Sequence, residues 1–192
     1  VLFIVVELLF SRLQWTDSLA FVIFVIGGVT DWLDGFLARR FRQVSNFGKL
    51  MDALTDKVLI VGLFIALLVP MPGNYGGPIL PDWALFFVLI IMAREFLVTG
   101  LRLVAASKNV VLAAERSGKL KTILQIVSIS VLLFANALDH DFHCSPAVVE
   151  NWYLFGLGLF LAAALLTAAS GFGYLVKYWG MFTGQDFKPP AA

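Results

Sequence analysis

Asp31, Asp34, Asp52 and Asp56 are the residues whose type and spacing could do chemistry in this otherwise oily chain. They lie in the stretch TDWLDGFLARRFRQVSNFGKLMDALTDK, from Thr30 to Lys57. Spacings of three and four residues put side chains on one face of a helix, so each pair presents two carboxylates in one direction. Carboxylate oxygens are hard donors that suit Mg²⁺, Mn²⁺ or Ca²⁺. No Cys or His lies in the stretch, which argues against zinc. Four uncompensated acids would repel one another, and at least one would have to stay protonated. One or two divalent cations remove that conflict. The plainer reading has the aspartates capping helices or pairing with Arg39, Arg40 and Lys57. Four acids converging from two neighbouring helices weigh towards metal. Gly35 and Gly48, within the same stretch, let a backbone approach a bulky group closely, although glycines also serve tight helix packing in membranes.

The elements that must position these acids follow from composition and hydropathy. The chain has 192 residues, enough for one domain. Hydrophobic residues make up 60% and the mean hydropathy is +0.89, while charged residues are 14% against about 25% in ordinary soluble domains. That composition describes an integral membrane protein. A net charge of +1 points to no nucleic acid, and the single Cys144 excludes an intramolecular disulfide framework. Val1–Phe10 is apolar apart from Glu7 but short of the roughly 20 residues a span needs, so the chain is expected to start inside a truncated first transmembrane helix. Further helices are expected over Leu19–Arg39, Gly48–Val69, Trp83–Ala106, Lys119–Leu138 and Ala147–Lys177, with a loop over Pro70–Asp82 and a tail over 179–192. The expectation is an all-α membrane protein of six transmembrane helices, forming a single domain over residues 1–178.

Lys and Arg gather in the turn after the second helix, in the connector after the fourth and in the tail, so these regions and both chain ends are expected in the cytoplasm. Counting about 1.5 Å per residue from Ser18 puts Asp31 roughly 20 Å and Asp34 roughly 24 Å into a hydrocarbon core of about 30 Å. Ionisable groups at such depth cost about 2.5–3.5 kcal/mol each on insertion scales, so four together need compensation. A metal site facing the cytoplasm from within the membrane suits a lipid with a diphosphate headgroup. Arg94 lies roughly 17 Å into the fourth helix and should face protein or a water-filled cavity. Its neighbour Glu95 offers it a structural ion pair. Lys121, Gln125 and Ser128 form a polar stripe on one face of the fifth helix. Asp139, His140, Asp141, His143 and Cys144 have ligand-capable side chains, but in a short turn they read as solvated turn residues. Gly156, Gly158, Ala162 and Ala163 are small residues that let helices pack, at a dimer seam or within the bundle.

The pattern Asp31-x2-Asp34-Gly35-x2-Ala38-Arg39-x8-Gly48-x3-Asp52-x3-Asp56 resembles the complete signature of the CDP-alcohol phosphotransferases. The segments TDWLDGFLARR, MAREFLVTGLR and SGKLKTILQ are similar to those of the family's phosphatidylglycerophosphate synthase branch, so the likeness covers most of the chain. The resemblance implies six transmembrane helices, commonly in a homodimer; the expected setting is a bacterial inner membrane, with the active site on the cytoplasmic side that the basic residues mark. It implies transfer of a phosphatidyl group from CDP-diacylglycerol to glycerol 3-phosphate, with release of CMP. It implies two Mg²⁺ or Mn²⁺ ions, one held by Asp31, Asp34 and Asp52 and the other by Asp31, Asp52 and Asp56. Asp34, Gly35, Ala38, Arg39 and Gly48 would form the CDP site, and Asp56 would be the general base. The family's Pro-Asn-x-x-Thr-x-x-Arg-like segment is expected to precede Val1.

Glycerol 3-phosphate is a dianion near neutral pH, so its pocket needs cations. Within this resemblance Arg94, Arg102, Lys119 and Lys121 are the candidates for the acceptor phosphate, against plain interface anchoring for Lys119, Lys121 and Arg116. The charges alone do not choose between glycerol 3-phosphate and a sugar-alcohol phosphate, and the nearest rival reading is a family member that takes inositol phosphate, serine or a phosphatidyl acceptor. A divalent-cation transporter is the competing class, and it leaves Arg39 and the paired glycines unexplained.

Overall fold

The computed structural model describes residues 1–11, 13–41, 46–70, 77–107 and 116–178; within its helices the side chains of 32, 34–41, 46–54, 56, 103–104, 106–107, 116–119 and 177–178 lie outside the description. The described residues form six helices and no strand: α1 (Leu2–Phe10), α2 (Thr16–Phe41), α3 (Asn46–Leu67), α4 (Ala84–Ser107), α5 (Arg116–His140) and α6 (Pro146–Tyr178). Each expected helix is present, with ends shifted by a few residues. Two shifts have a chemical reason. α2 begins at Thr16 rather than near Leu19 because Thr16 Oγ1 donates to the Leu13 carbonyl at 2.9 Å and Asp141 caps the first turn from another element. Arg116, read as connector, belongs to α5, where polar residues extend the helix beyond its apolar part.

Three helices are long and apolar enough to cross a membrane among the described residues: Ala84–Arg102, Leu120–His140 and Pro146–Val176. α2 and α3 are long enough, at 26 and 22 residues, but each carries a polar half. In α3 the apolar run is confined to Lys57–Leu67. These polar halves are the ones that carry the aspartates.

Among the described residues the larger core cluster joins α1 through α6, with Phe64 on α3 and Phe160 on α6 fully buried in it. Their rings stand 5.2 Å apart, and Phe87 of α4 meets Phe160 edge-on at 6.4 Å. α5 and α6 make the most extensive helix pair. Their close approach depends on Gly156, where a Cβ would stand 3.0 Å from Leu132 and 3.1 Å from Val131 of α5. Ala163 is buried as expected of a packing residue, whereas Gly158 meets nothing within 4 Å. A second, smaller cluster of Val98, Leu101, Ala105 and Tyr174 joins α4 to α6. Outside, Phe3, Ile26, Phe86, Leu154, Leu165 and Phe172 are each more than half exposed. Large apolar side chains facing outwards around a bundle with a polar interior seam suit hydrocarbon rather than water.

Candidate functional site

The backbone of α2 is continuous helix through Asp31 and Asp34, and that of α3 through Asp52 and Asp56. Each pair therefore lies about one turn apart along its helix. Asp31 is exposed. The side chains of Asp34, Ala38, Arg39, Asp52 and Asp56, together with Gly35 and Gly48, lie outside the described part of the structure. Among the described residues no group of three His, Cys, Asp or Glu side chains could hold a metal. An all-carboxylate set in paired helical positions fits hard divalent cations.

Beside α3 lies a buried polar network that spans four helices. Lys57, next in the chain to Asp56, donates its ammonium to Thr99 Oγ1 on α4. Thr99 Oγ1 donates in turn to the Glu95 carbonyl at 2.7 Å, one turn back. The Glu95 carboxylate is shared: its Oε1 takes the ammonium of Lys121 from α5 and Nη1 of Arg94 at 3.3 Å. Arg94 Nη2 reaches Ser170 Oγ on α6 at 3.2 Å, and Ser170 donates to the Thr167 carbonyl at 3.0 Å. Gln125, one turn along α5 from Lys121, donates to Thr167 Oγ1 at 3.3 Å. Lys121 is 4% exposed and Gln125 is 2% exposed, so this is protein interior and not a solvated helix face. Charges at that depth persist only when paired and hydrogen-bonded.

The small residues of α6 make room for this cluster. A Cβ on Gly171 would stand 2.5 Å from Arg94 Cγ, so the glycine admits the arginine stem. The structure thus brings Arg94 and Lys121 together around Glu95. Arg102 is exposed on α4, two turns beyond Arg94, and the side chain of Lys119 lies outside the described residues. The polar stripe of α5 faces inwards, with Ser128 fully buried and donating to the Gln125 carbonyl at 2.9 Å. Lys57, Thr99, Thr167 and Ser170 were not singled out as site residues from sequence. Their signal was available in part: Thr99 stands four residues after Glu95, and Thr167, Ser170 and Gly171 interrupt an apolar run on α6.

The turn cluster of acids and histidines has a structural role that its spacing hid. Asp141 Oδ2 accepts from both the backbone N–H and the hydroxyl of Ser18, each at 2.6 Å. It thereby satisfies an orphan donor at the start of α2. His140 Nδ1 pairs with Asp17 Oδ2 at 2.9 Å, and Trp15 meets Phe142 edge-on at 5.4 Å. Trp15 and His143 both take positive φ, 67° and 48°, on either side of this clasp. The contacts fix the first turn of α2, and so the register of the helix that carries Asp31 and Asp34.

Known proteins are similar to this sequence. The family profile described as CDP-alcohol phosphatidyltransferase matches residues 1–169. The chain is 37% identical over 158 residues to the CDP-diacylglycerol–glycerol-3-phosphate 3-phosphatidyltransferase of Bacillus subtilis strain 168, covering 82% of this chain and 72% of that protein. It is 34% identical over 137 residues to the protein of that name from Cereibacter sphaeroides, covering 71% of this chain and 59% of the relative. A third protein of the same name, from Rickettsia typhi, is 30% identical over 171 residues, covering 89% of this chain and 86% of the relative.

Proposed function

The chain belongs to the CDP-alcohol phosphatidyltransferase family, and we propose that it transfers the phosphatidyl group of CDP-diacylglycerol to glycerol 3-phosphate, giving phosphatidylglycerophosphate and CMP. The relatives named above carry that activity in their names. The observation that carries the reading further is the Lys57–Thr99 bond, which sets the helix of Asp52 and Asp56 against a buried basic cluster on α4 and α5. A reaction between a lipid diphosphate and a phosphorylated alcohol needs those two environments side by side.

In this reading Asp31, Asp34, Asp52 and Asp56 hold two divalent cations, Mg²⁺ or Mn²⁺. Such ions neutralise the diphosphate and stabilise the departing phosphate of CMP. Asp34, Gly35, Ala38, Arg39 and Gly48 shape the nucleotide site. Arg94 and Lys121, with Arg102 and Lys119 towards the surface, take the acceptor's phosphate and turn its hydroxyl towards the lipid phosphorus. The hydroxyl oxygen bonds to that phosphorus as the bond to the bridging oxygen breaks. CMP leaves with the bridging oxygen, and the hydroxyl proton passes to the carboxylate of Asp56. Holding the reactants in this geometry supplies much of the rate. The setting is six membrane spans, with the aspartates, the basic connector and both ends on the cytoplasmic side of a bacterial inner membrane, in a homodimer. The concentration of Lys and Arg in the regions flanking the aspartate end of the helices supports that orientation.

Purified protein given CDP-diacylglycerol and one acceptor at a time tests the proposal. Glycerol 3-phosphate is expected to release CMP, and serine or inositol phosphate is not. CMP release with another acceptor and none with glycerol 3-phosphate would overturn the substrate assignment.

A further inference from the structure

We propose that Glu95 is a displaceable counter-ion: it holds Lys121 and Arg94 in the empty site and yields them to the phosphate of the incoming acceptor. The inference rests on the reading that these two cations bind the acceptor phosphate. It goes beyond that reading by giving a role to an acid that a phosphate site should not want. A carboxylate in the middle of an anion pocket opposes anion binding through like-charge repulsion. Yet Glu95 is not peripheral. Its Oε1 is the atom on which both cations converge, one from its own helix and one from α5. The residue is 9% exposed and Lys121 is 4% exposed, so water does not screen them.

The surroundings explain why an internal anion is needed. A buried ammonium without a counter-charge is strongly destabilising. The Lys121–Glu95 pair lets the site exist charged before substrate arrives. The pair is also exchangeable, because both cations reach a single carboxylate oxygen where a phosphate presents three. Arg94 keeps its second anchor on Ser170 Oγ during such an exchange, and its stem stays in the groove at Gly171. Glu95 keeps its own place through the backbone, its carbonyl receiving Thr99 Oγ1, which Lys57 engages from α3. The exchange is thus a side-chain event on a fixed frame. It also works in reverse: Glu95 reclaims Lys121 when the phosphorylated product leaves. Glu95 is a positioning residue in this scheme, since it touches the cations and not the reacting atoms.

Thermal unfolding of the purified full chain with and without inorganic phosphate, at constant ionic strength, reads the exchange directly. Glu95→Gln keeps size and shape and removes the competing charge. The variant is expected to melt below wild type without phosphate. Phosphate is expected to raise its Tm by at least about twice the wild-type increment, because no ion pair has to break first. In turnover the KM for glycerol 3-phosphate is expected to fall about fivefold and kcat to fall with it, because the product's phosphate is then held more tightly. Glu95→Asp, whose carboxylate is drawn back by one methylene, is expected to move the same way by less and serves if the glutamine variant does not fold. Lys121→Gln is expected to lose the phosphate increment. Equal phosphate increments in wild type and Glu95→Gln would show that Glu95 is only structural, overturning the proposal even if glycerol 3-phosphate proves to be the acceptor. An enlarged increment in a protein that turns over a different phosphorylated alcohol supports the counter-ion and sinks the glycerol 3-phosphate reading alone.

Discussion

The Lys57 ammonium on α3 reaches the Thr99 hydroxyl on α4, across 42 positions of sequence. Lys57 directly follows Asp56, and Thr99 lies one helical turn from Glu95, so one contact couples the end of the aspartate motif to the centre of the basic cluster. Both ends are constrained. Thr99 is locked by its bond to the Glu95 carbonyl, and Val58 to Leu67 continue α3 into the core. The pairing sets how α3 stands against α4 at the depth where the two substrates would have to meet.

Thr99→Val tests that coupling, since it removes the hydroxyl and keeps the shape. Losing a partner for a buried polar group costs about 1–3 kcal/mol. Activity should fall further than stability alone explains, since a 1 Å displacement of a reacting group can cost about a hundredfold. We expect kcat for CMP release to drop at least about tenfold while the solubilised protein remains folded at assay temperature. Thr99→Ser, which retains the hydroxyl, should stay near wild type. Equal activity of the valine and serine variants would mean that the contact does not govern catalysis.

Gly171→Ala acts on Arg94 without touching a charged group. The added methyl would stand 2.5 Å from Arg94 Cγ, at the root of the side chain, so the whole guanidinium must move. If Arg94 binds the acceptor phosphate, the KM for glycerol 3-phosphate should rise about tenfold, the scale of one charge-assisted contact, with a smaller change in kcat. Gly173→Ala is the matched control, because nothing lies within 4 Å of its added carbon. Steady-state kinetics of the pair decide the matter: a KM that stays put in Gly171→Ala removes Arg94 from the acceptor site.

Much of this arrangement was legible in the sequence, for physical reasons that differ by element. Apolar runs with polar breaks placed all six helices, because hydrocarbon tolerates little besides saturated helix backbone. The paired aspartates stood out because each acid within a membrane is expensive and four at helical spacing demand a shared cause. Arg94 stood out by its charge and depth, and Lys121 by its place in the polar stripe of α5. What joins them was not. Lys121 and Glu95 are separated by 26 positions, and nothing in either helix alone says that their faces meet. The same blindness applied to Asp141 and His140. Their local spacing suggested a solvated turn, whereas their partners Ser18 and Asp17 lie 123 positions away. Side chains whose roles are set by tertiary partners leave only a faint mark in one sequence, here a polar residue inside an apolar helix.

Asp141→Asn should separate that clasp from catalysis. The charged acceptor at the start of α2 becomes a neutral one that holds the Ser18 N–H and hydroxyl more weakly. A lost helix cap costs about 0.5–2 kcal/mol, and the favourable interaction of the carboxylate with the helix N-terminus is lost as well. The variant should melt a few degrees lower with kcat little changed at 25 °C, since about 1 kcal/mol shifts Tm by roughly 2–4 °C in domains of this size. Scanning calorimetry beside the CMP assay gives both numbers. A large loss of kcat at a temperature where the variant is fully folded would mean that the register of α2 is poised more finely than this argument allows.

Asp56→Asn addresses the chemistry itself. Asparagine keeps the volume and one carbonyl oxygen but cannot accept a proton as the acceptor hydroxyl attacks. General-base assistance contributes about 10²–10⁴ in rate, and loss of a metal-binding charge would add to the deficit. CMP release should therefore fall at least about a hundredfold. Binding of CDP-diacylglycerol, followed by protection against heat in the presence of divalent cation, should survive, since Asp31, Asp34 and Asp52 remain. Chelation should behave differently: EDTA is expected to abolish both turnover and that protection in wild type, and added Mg²⁺ or Mn²⁺ to restore them. The two treatments thus split binding from proton transfer. Should Asp56→Asn lose lipid protection along with turnover, its carboxylate serves the metal first and proton acceptance must be sought elsewhere. Near-normal turnover in the variant would remove Asp56 from both roles, since neither a proton acceptor nor a charged metal ligand can be replaced by an amide without a measurable loss of rate.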